Sequence, residues 1–259
     1  MYYAELLRAR RALTWYCGIA LVLVALGLVL AFKDGPPQIQ MSRDANPMIP
    51  LWWVIAGCAF GPIVLAAFMA VGLDAEYKTA AITWTRPISR LAIAARYVAI
   101  DAATLLAAWL FNIVLCAIVL FALGIAKYLT GANDDGAAWY SLLAFGCAVM
   151  WYGLVVLCTV LLPGRGNAIV GGSWAYALFV PGLAAIPFPP LLHQVMLALN
   201  WLNPLSYLST RHGAGTHVDF GSGAPIGGST TAHLIAVWLI GIVAVAIATR
   251  VWAVREVPA

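Results

Sequence analysis

Ser173, in the run Gly171-Gly172-Ser173, and His233 are the residues whose types could make a nucleophile and its base. Such a pair works only within about 3 Å of each other. Both lie in apolar stretches, so the chemistry would be hydrolysis inside a membrane. Spacing opposes it. Ser173 falls about one turn from the inner end of its apolar run, and His233 at the outer start of the last one. At roughly 1.5 Å per helical residue they are separated by most of a bilayer.

Metal and nucleotide chemistry fare no better. His212 and His217 lie five apart in a glycine-rich loop near Asp219, without an HExxH, an HxH or a cysteine partner. The lysines are Lys33, Lys78 and Lys127, and none stands in the GxxxxGK[ST] context that cradles phosphates. ATP hydrolysis by this chain is therefore excluded. Cys17, Cys58, Cys116, Cys147 and Cys158 all fall inside apolar runs with no CxxC pair, which reads as packing rather than disulfides or zinc. Asp101 lies in the third apolar run, with Asn112, and an ionisable residue inside a span is a functional candidate by default. It lies about a turn beyond Arg96, so the reading is an interfacial cap or a partner for a neighbouring basic group.

The elements that would position these residues are helices in lipid. The chain is 64% hydrophobic and 9% charged, too little polar surface to cover a fold of 259 residues in water. Crossing a core of about 30 Å takes about 20 apolar residues in a helix. Six segments qualify: 13–32, 51–73, 97–125, 138–162, 168–186 and 231–252. The runs are continuous, without the period of two that marks a membrane barrel. The expectation is a single all-α, polytopic domain over 1–259. Its first apolar run is followed by five more and lacks a small-residue cleavage site, so it reads as a retained span.

Orientation follows from the cations. With the N-terminus inside, Arg8, Arg10, Arg11, Lys78, Arg86, Arg90, Arg96, Arg165, Arg250 and Arg255 lie on the cytoplasmic side. Lys33, Arg43, Lys127 and Arg211 lie outside. Ten against four is a positive-inside bias, and six spans return the C-terminus to the cytoplasm. The net charge of +4 then reflects topology and anionic headgroups rather than nucleic acid. Residues 1–12 read either as a short amphipathic helix on the inner leaflet, with Glu5, Arg8 and Arg11 facing water, or as a plain basic tag. Within 51–73, GCAFG (57–61) followed by Pro62 is a small-residue face with a kink-forming proline. Between the fifth and sixth spans, 187–210 is apolar but broken by Pro187, Pro189, Pro190 and Pro204. Its piece 190–202 is too short to span and reads as a re-entrant or interfacial helix on the outer side.

The polar island 74–90, DAEYKTAAITWTRPISR, stands apart from all this. Ile82 and Trp84 sit among small polar residues with charges on either side, and Pro87 stops a helix. An aromatic anchor flanked by charges suits docking into a partner's groove. An ordinary juxtamembrane anchor loop would read the same way.

The segment resembles the cytoplasmic loop of ABC-2 type transporter permeases, roughly Glu-x-x-(Gly)-Thr, an apolar stretch, then Thr-x-Pro-(Val/Ile)-Ser-Arg. Glu76, Thr79, Trp84, Thr85, Pro87, Ile88, Ser89 and Arg90 fit, while Lys78 stands where glycine is usual. The likeness extends to the basic N-terminal segment, the six spans and the outer Asn203-Pro204-Leu205 motif.

The resemblance implies a permease subunit in a bacterial cell membrane, exporting an apolar or amphipathic compound such as a drug, antibiotic, lipid or glycan. Two subunits, expected to be identical, would pair and dock two copies of a separate ATPase, which binds the ATP and magnesium. Glu76, Lys78, Thr79, Trp84, Arg86, Pro87, Ser89 and Arg90 would form the docking segment. Trp15, Phe60, Phe68, Trp174, Tyr176 and Phe179 would line the cargo path. This chain would carry no catalytic residue, metal or cofactor. A rhomboid-like membrane enzyme and a non-transporting anchor or sensor subunit are the competing classes.

Overall fold

The computed structural model describes residues 2–32, 61–78, 89–122, 136–184, 186–208, 210–212, 218–220 and 230–254. Helices dominate them. In chain order they are α1 (Tyr2–Phe32), α2 (residues 61–69), α3 (Gly72–Lys78), α4 (Arg90–Ala122) and α5 (Gly136–Leu161). There follow α6 (Gly166–Ala184), α7 (Pro190–Trp201), α8 (Pro204–Leu208) and α9 (Thr230–Val254). A short antiparallel pair, β1 (Thr210–His212) and β2 (Val218–Phe220), aligns Arg211 with Asp219 between α8 and α9.

Among the described residues, four helices are long and apolar enough to cross a membrane, over Glu5–Leu26, Arg90–Val119, Ser141–Leu161 and Thr231–Val254. Large apolar side chains such as Val22, Phe121, Leu178 and Ile235 point outward, as a surface solvated by lipid requires. This is a membrane protein. Of the expected span 51–73, residues 61–73 are described, as α2 and the start of α3. The expected span 168–186 corresponds to α6, a 19-residue helix with Pro181 inside it.

One expectation is corrected at the N-terminus. Residues 1–12 form no separate interfacial helix, because α1 runs unbroken for 31 residues. No glycine or proline precedes Gly18 to interrupt the ladder. Glu5 is buried and Arg8 half-buried, so the side read as facing water is turned into the protein at both positions.

The core is built on α5, the most enclosed of the four long apolar helices. Leu143, Cys147, Met150, Trp151, Val155 and Val156 are all sealed from solvent. Helix α9 lies against it through two glycines. A β-carbon on Gly153 would sit 2.5 Å from the Gly241 carbonyl oxygen, and one on Gly241 would sit 2.8 Å from the Met150 nitrogen. Backbones meet there directly, the way small residues let membrane helices approach. Helix α4 joins through an aromatic row: Trp109 stacks on Phe145 at 4.9 Å, and Phe145 meets Trp238 of α9 edge-on at 5.5 Å. Trp109 Nε1 also donates to the Ser141 carbonyl, which fixes the row's register.

Candidate functional site

The polar island begins as the ladder of α2 breaks. The last bond of that ladder runs from the Ala70 N–H to the Ala66 carbonyl, and the next resumes from Ala75 N–H to the Val71 carbonyl. Between them lies a joint whose carbonyls need other donors. Arg8 of α1 supplies one, its Nη1 donating to the Met69 carbonyl at 3.1 Å. Thr159 of α5 packs against the joint as well, its hydroxyl donating to the Val156 carbonyl of its own helix at 2.8 Å and lying 3.4 Å from the Ala70 carbonyl.

Arg8 is held for that task from two sides. Its Nη2 pairs with Asp101 Oδ1 of α4 at 2.5 Å, and its guanidinium lies 5.6 Å from the centre of the Tyr97 ring. Asp101 is 1% exposed, and Tyr152 of α5 donates to its other oxygen at 2.9 Å. A buried carboxylate survives only when paired and hydrogen-bonded, and this one is both. Gly72 makes the space, since a β-carbon there would strike the Arg8 guanidinium. Asp101 is thus the partner of a basic residue, and that residue is Arg8.

Helix α3 is fastened at a second point. Asp74, 3% exposed, accepts the Gly164 N–H at 2.5 Å through Oδ1 and the Gly166 N–H at 3.3 Å through Oδ2. Gly166 opens α6, so its amide has no carbonyl partner in its own helix and lies at the positive end of the dipole. A carboxylate from α3 therefore caps α6. Any side chain at Gly166 would collide with that carboxylate, as a β-carbon would lie 2.8 Å from Oδ2. On a third side, Trp252 near the end of α9 donates to the Leu73 carbonyl at 3.3 Å. The stretch 69–74 that leads into the polar island is thereby tied to α1, α6 and α9 together.

At the other end of α6, Pro181 lacks an N–H and leaves the Ala177 carbonyl without its ladder donor. Asn203 Nδ2 donates to that carbonyl at 2.9 Å, while its Oδ1 accepts the Leu205 N–H at 3.0 Å and caps α8, with Pro204 at the first helical position. Tyr176 donates to the Leu199 carbonyl of α7 as well. The Asn203-Pro204-Leu205 motif thus stoppers a proline break and docks α7 and α8 against α6. Helix α7, 12 residues long, is too short to span a bilayer.

No family model, curated protein or solved structure matches this chain.

The expected docking residues divide by position. Glu76 and Lys78 lie in the last turns of α3, whose backbone alone is described there. Thr79, Trp84, Arg86 and Pro87 fall outside the described residues. Ser89 accepts the Ala92 N–H at 3.2 Å and is the N-cap of α4, and Arg90 is that helix's first residue. Of the expected cargo path, Trp15, Phe68 and Phe179 stand exposed on three different helices, and Phe60 lies outside the described residues. Trp174 and Tyr176 meet over Trp151, at 6.0 and 6.3 Å between ring centres. Ser173 and His233 are not brought together: the Ser173 hydroxyl donates to the Val170 carbonyl of its own helix, and His233 packs edge-on to Tyr207. Among the described residues there is no group of three or more metal-ligating side chains. Of the region 57–62, only Gly61 and Pro62 are described; Cys58 lies outside.

Asp74, Trp252, Thr159 and Tyr152 were missed by sequence reasoning as site residues. The signal for Asp74 was present: an acidic residue opens the polar island, and the tight LPGRGN reversal offers a helix start.

Proposed function

We propose that this chain is the membrane-spanning permease half of an ATP-driven exporter. It would cross the bilayer six times, with both termini in the cytoplasm of a bacterial cell, and pair with a second copy. Segment 74–90 is its coupling element, docking a separate ATPase subunit through Glu76 and Trp84. The observation that carries this reading is the Asp74 clamp. A docking loop does mechanical work only when its base is rigidly joined to the helices that must move. Here the base grips the start of α6 through Gly164 and Gly166 and the end of α9 through Trp252. A plain anchor loop has no need of those bonds.

Nucleotide and cargo would then act as ligands of a two-state membrane body, each favouring one arrangement. The cargo class is apolar or amphipathic, in keeping with the aromatic group at Trp151, Trp174 and Tyr176. Co-expression with the nucleotide-binding subunit encoded beside it tests the reading. A stable wild-type complex that loses assembly in Trp84→Ala and ATPase activity in Glu76→Ala supports it; unchanged assembly and activity in both variants reject the docking role. Transport into sealed vesicles by the reconstituted complex separates an exporter from a non-transporting anchor subunit.

A further inference from the structure

Helix α1 touches the rest of the protein sparingly along its outer half, where Trp15, Ile19, Val22, Leu23 and Leu26 are exposed. Its inner end is different. Arg8 reaches across to the joint between α2 and α3 and closes on both the Met69 carbonyl and Asp101. That joint is where the ladder breaks, so it is the place where α3 can turn relative to α2 at least cost. The guanidinium is bonded at once to that break and to the buried carboxylate of α4.

We propose that Arg8 is the pin of a hinge at Ala70–Val71: it makes α3 and the inner end of α1 move as one body, with Asp101 as the seat that holds the pin. A planar guanidinium can serve two acceptors in fixed geometry, which an ammonium cannot do as well. Seating the pin on Asp101 lets movement of α3 reach α4, and Tyr152 extends the seat to α5. The hinge gives the exporter reading a route from docking segment to spans and rests on that reading only for its purpose.

Hydrogen–deuterium exchange on the full chain in lipid nanodiscs tests the pin without any ATPase. Replacing a charge-assisted bond at the joint should raise exchange of the 75–78 amides, the ones bonded within α3, roughly tenfold in Arg8→Gln, with the α5 and α9 amides unchanged. Asp101→Asn should raise the same amides, and the double variant should do no more than either single one. Tyr152→Phe, which keeps the packing, should give a smaller rise in the same place. Exchange that rises only within α1, or additively in the double variant, overturns the proposal. Should Arg8→Gln fail to fold, Arg8→Lys decides the matter: the pin requires increased exchange at 75–78 with Asp101 still paired, and wild-type protection there rejects it. Loss of ATPase docking with an intact hinge response would reject the exporter reading alone.

Discussion

The Asn203 side-chain amide donates to the Ala177 carbonyl, the acceptor that Pro181 leaves vacant four residues further on. Motif and helix break are one device. The asparagine is fully buried, so removing it strands a polar group rather than trading it for water.

Asn203→Ala is therefore expected to cost about 1–3 kcal/mol, read as a lowered thermal midpoint in detergent. Pro181→Ala restores the ladder donor and should make the asparagine's bond to Ala177 dispensable, leaving its cap of α8 as the remaining loss. The double variant should then lose less than the sum of the two, a coupling of about 1 kcal/mol or more. Strict additivity would show that the two residues do not share the carbonyl.

Asp74→Ala is expected to destabilise the start of α6 by about 1 kcal/mol, the usual worth of a helix cap. Asp74→Asn should lose less, since an amide oxygen still accepts one N–H. Limited proteolysis at the 162–166 reversal reports the loss directly. Equal cleavage of wild type and Asp74→Ala would mean the cap carries no weight.

Gly241→Leu should separate α5 from α9, because the backbone nitrogen of Met150 lies where the new side chain would begin. We expect loss of the folded species on size-exclusion chromatography. Gly241→Ala should lower the thermal midpoint by several degrees while leaving a folded protein. A fully stable leucine variant would contradict the backbone contact.

Asp101→Ala leaves Arg8 without its seat, and breaking a buried pair on one side costs about 3–5 kcal/mol, less where one partner is partly wet. The paired replacement Arg8→Met with Asp101→Leu should recover much of that stability in thermal unfolding. If it recovered none, the pair would contribute to stability in its own right rather than by mutual neutralisation.

The spans were legible because lipid demands long apolar runs, a one-dimensional signal that needs no partner. Four of them appear as helices of the required length, and the limits of α4, α5 and α9 fall within a few residues of expectation apart from the start of α4. Ser89 explains that start: its hydroxyl caps the helix at Arg90, a local bond that apolar periodicity does not register. The N-terminal helix was misjudged because a cation such as Arg8 on one helix face has two solutions, water or a buried counter-charge. Only the position of Asp101, 93 residues away from Arg8, chooses between them. The Asp74 clamp was hidden for the same reason, as its amide partners lie 90 and 92 residues along the chain. What stays local can be read locally; what joins distant helices cannot.

The central claim is that segment 74–90 passes mechanical work from an ATPase to the helices it is fastened to. The most direct measurement is ATPase activity of the co-expressed complex, in wild type, Trp84→Ala and Asp74→Ala. The account predicts that Trp84→Ala abolishes assembly, whereas Asp74→Ala assembles yet uncouples, hydrolysing ATP without moving cargo into vesicles. A complex that forms and transports normally in both variants would contradict it.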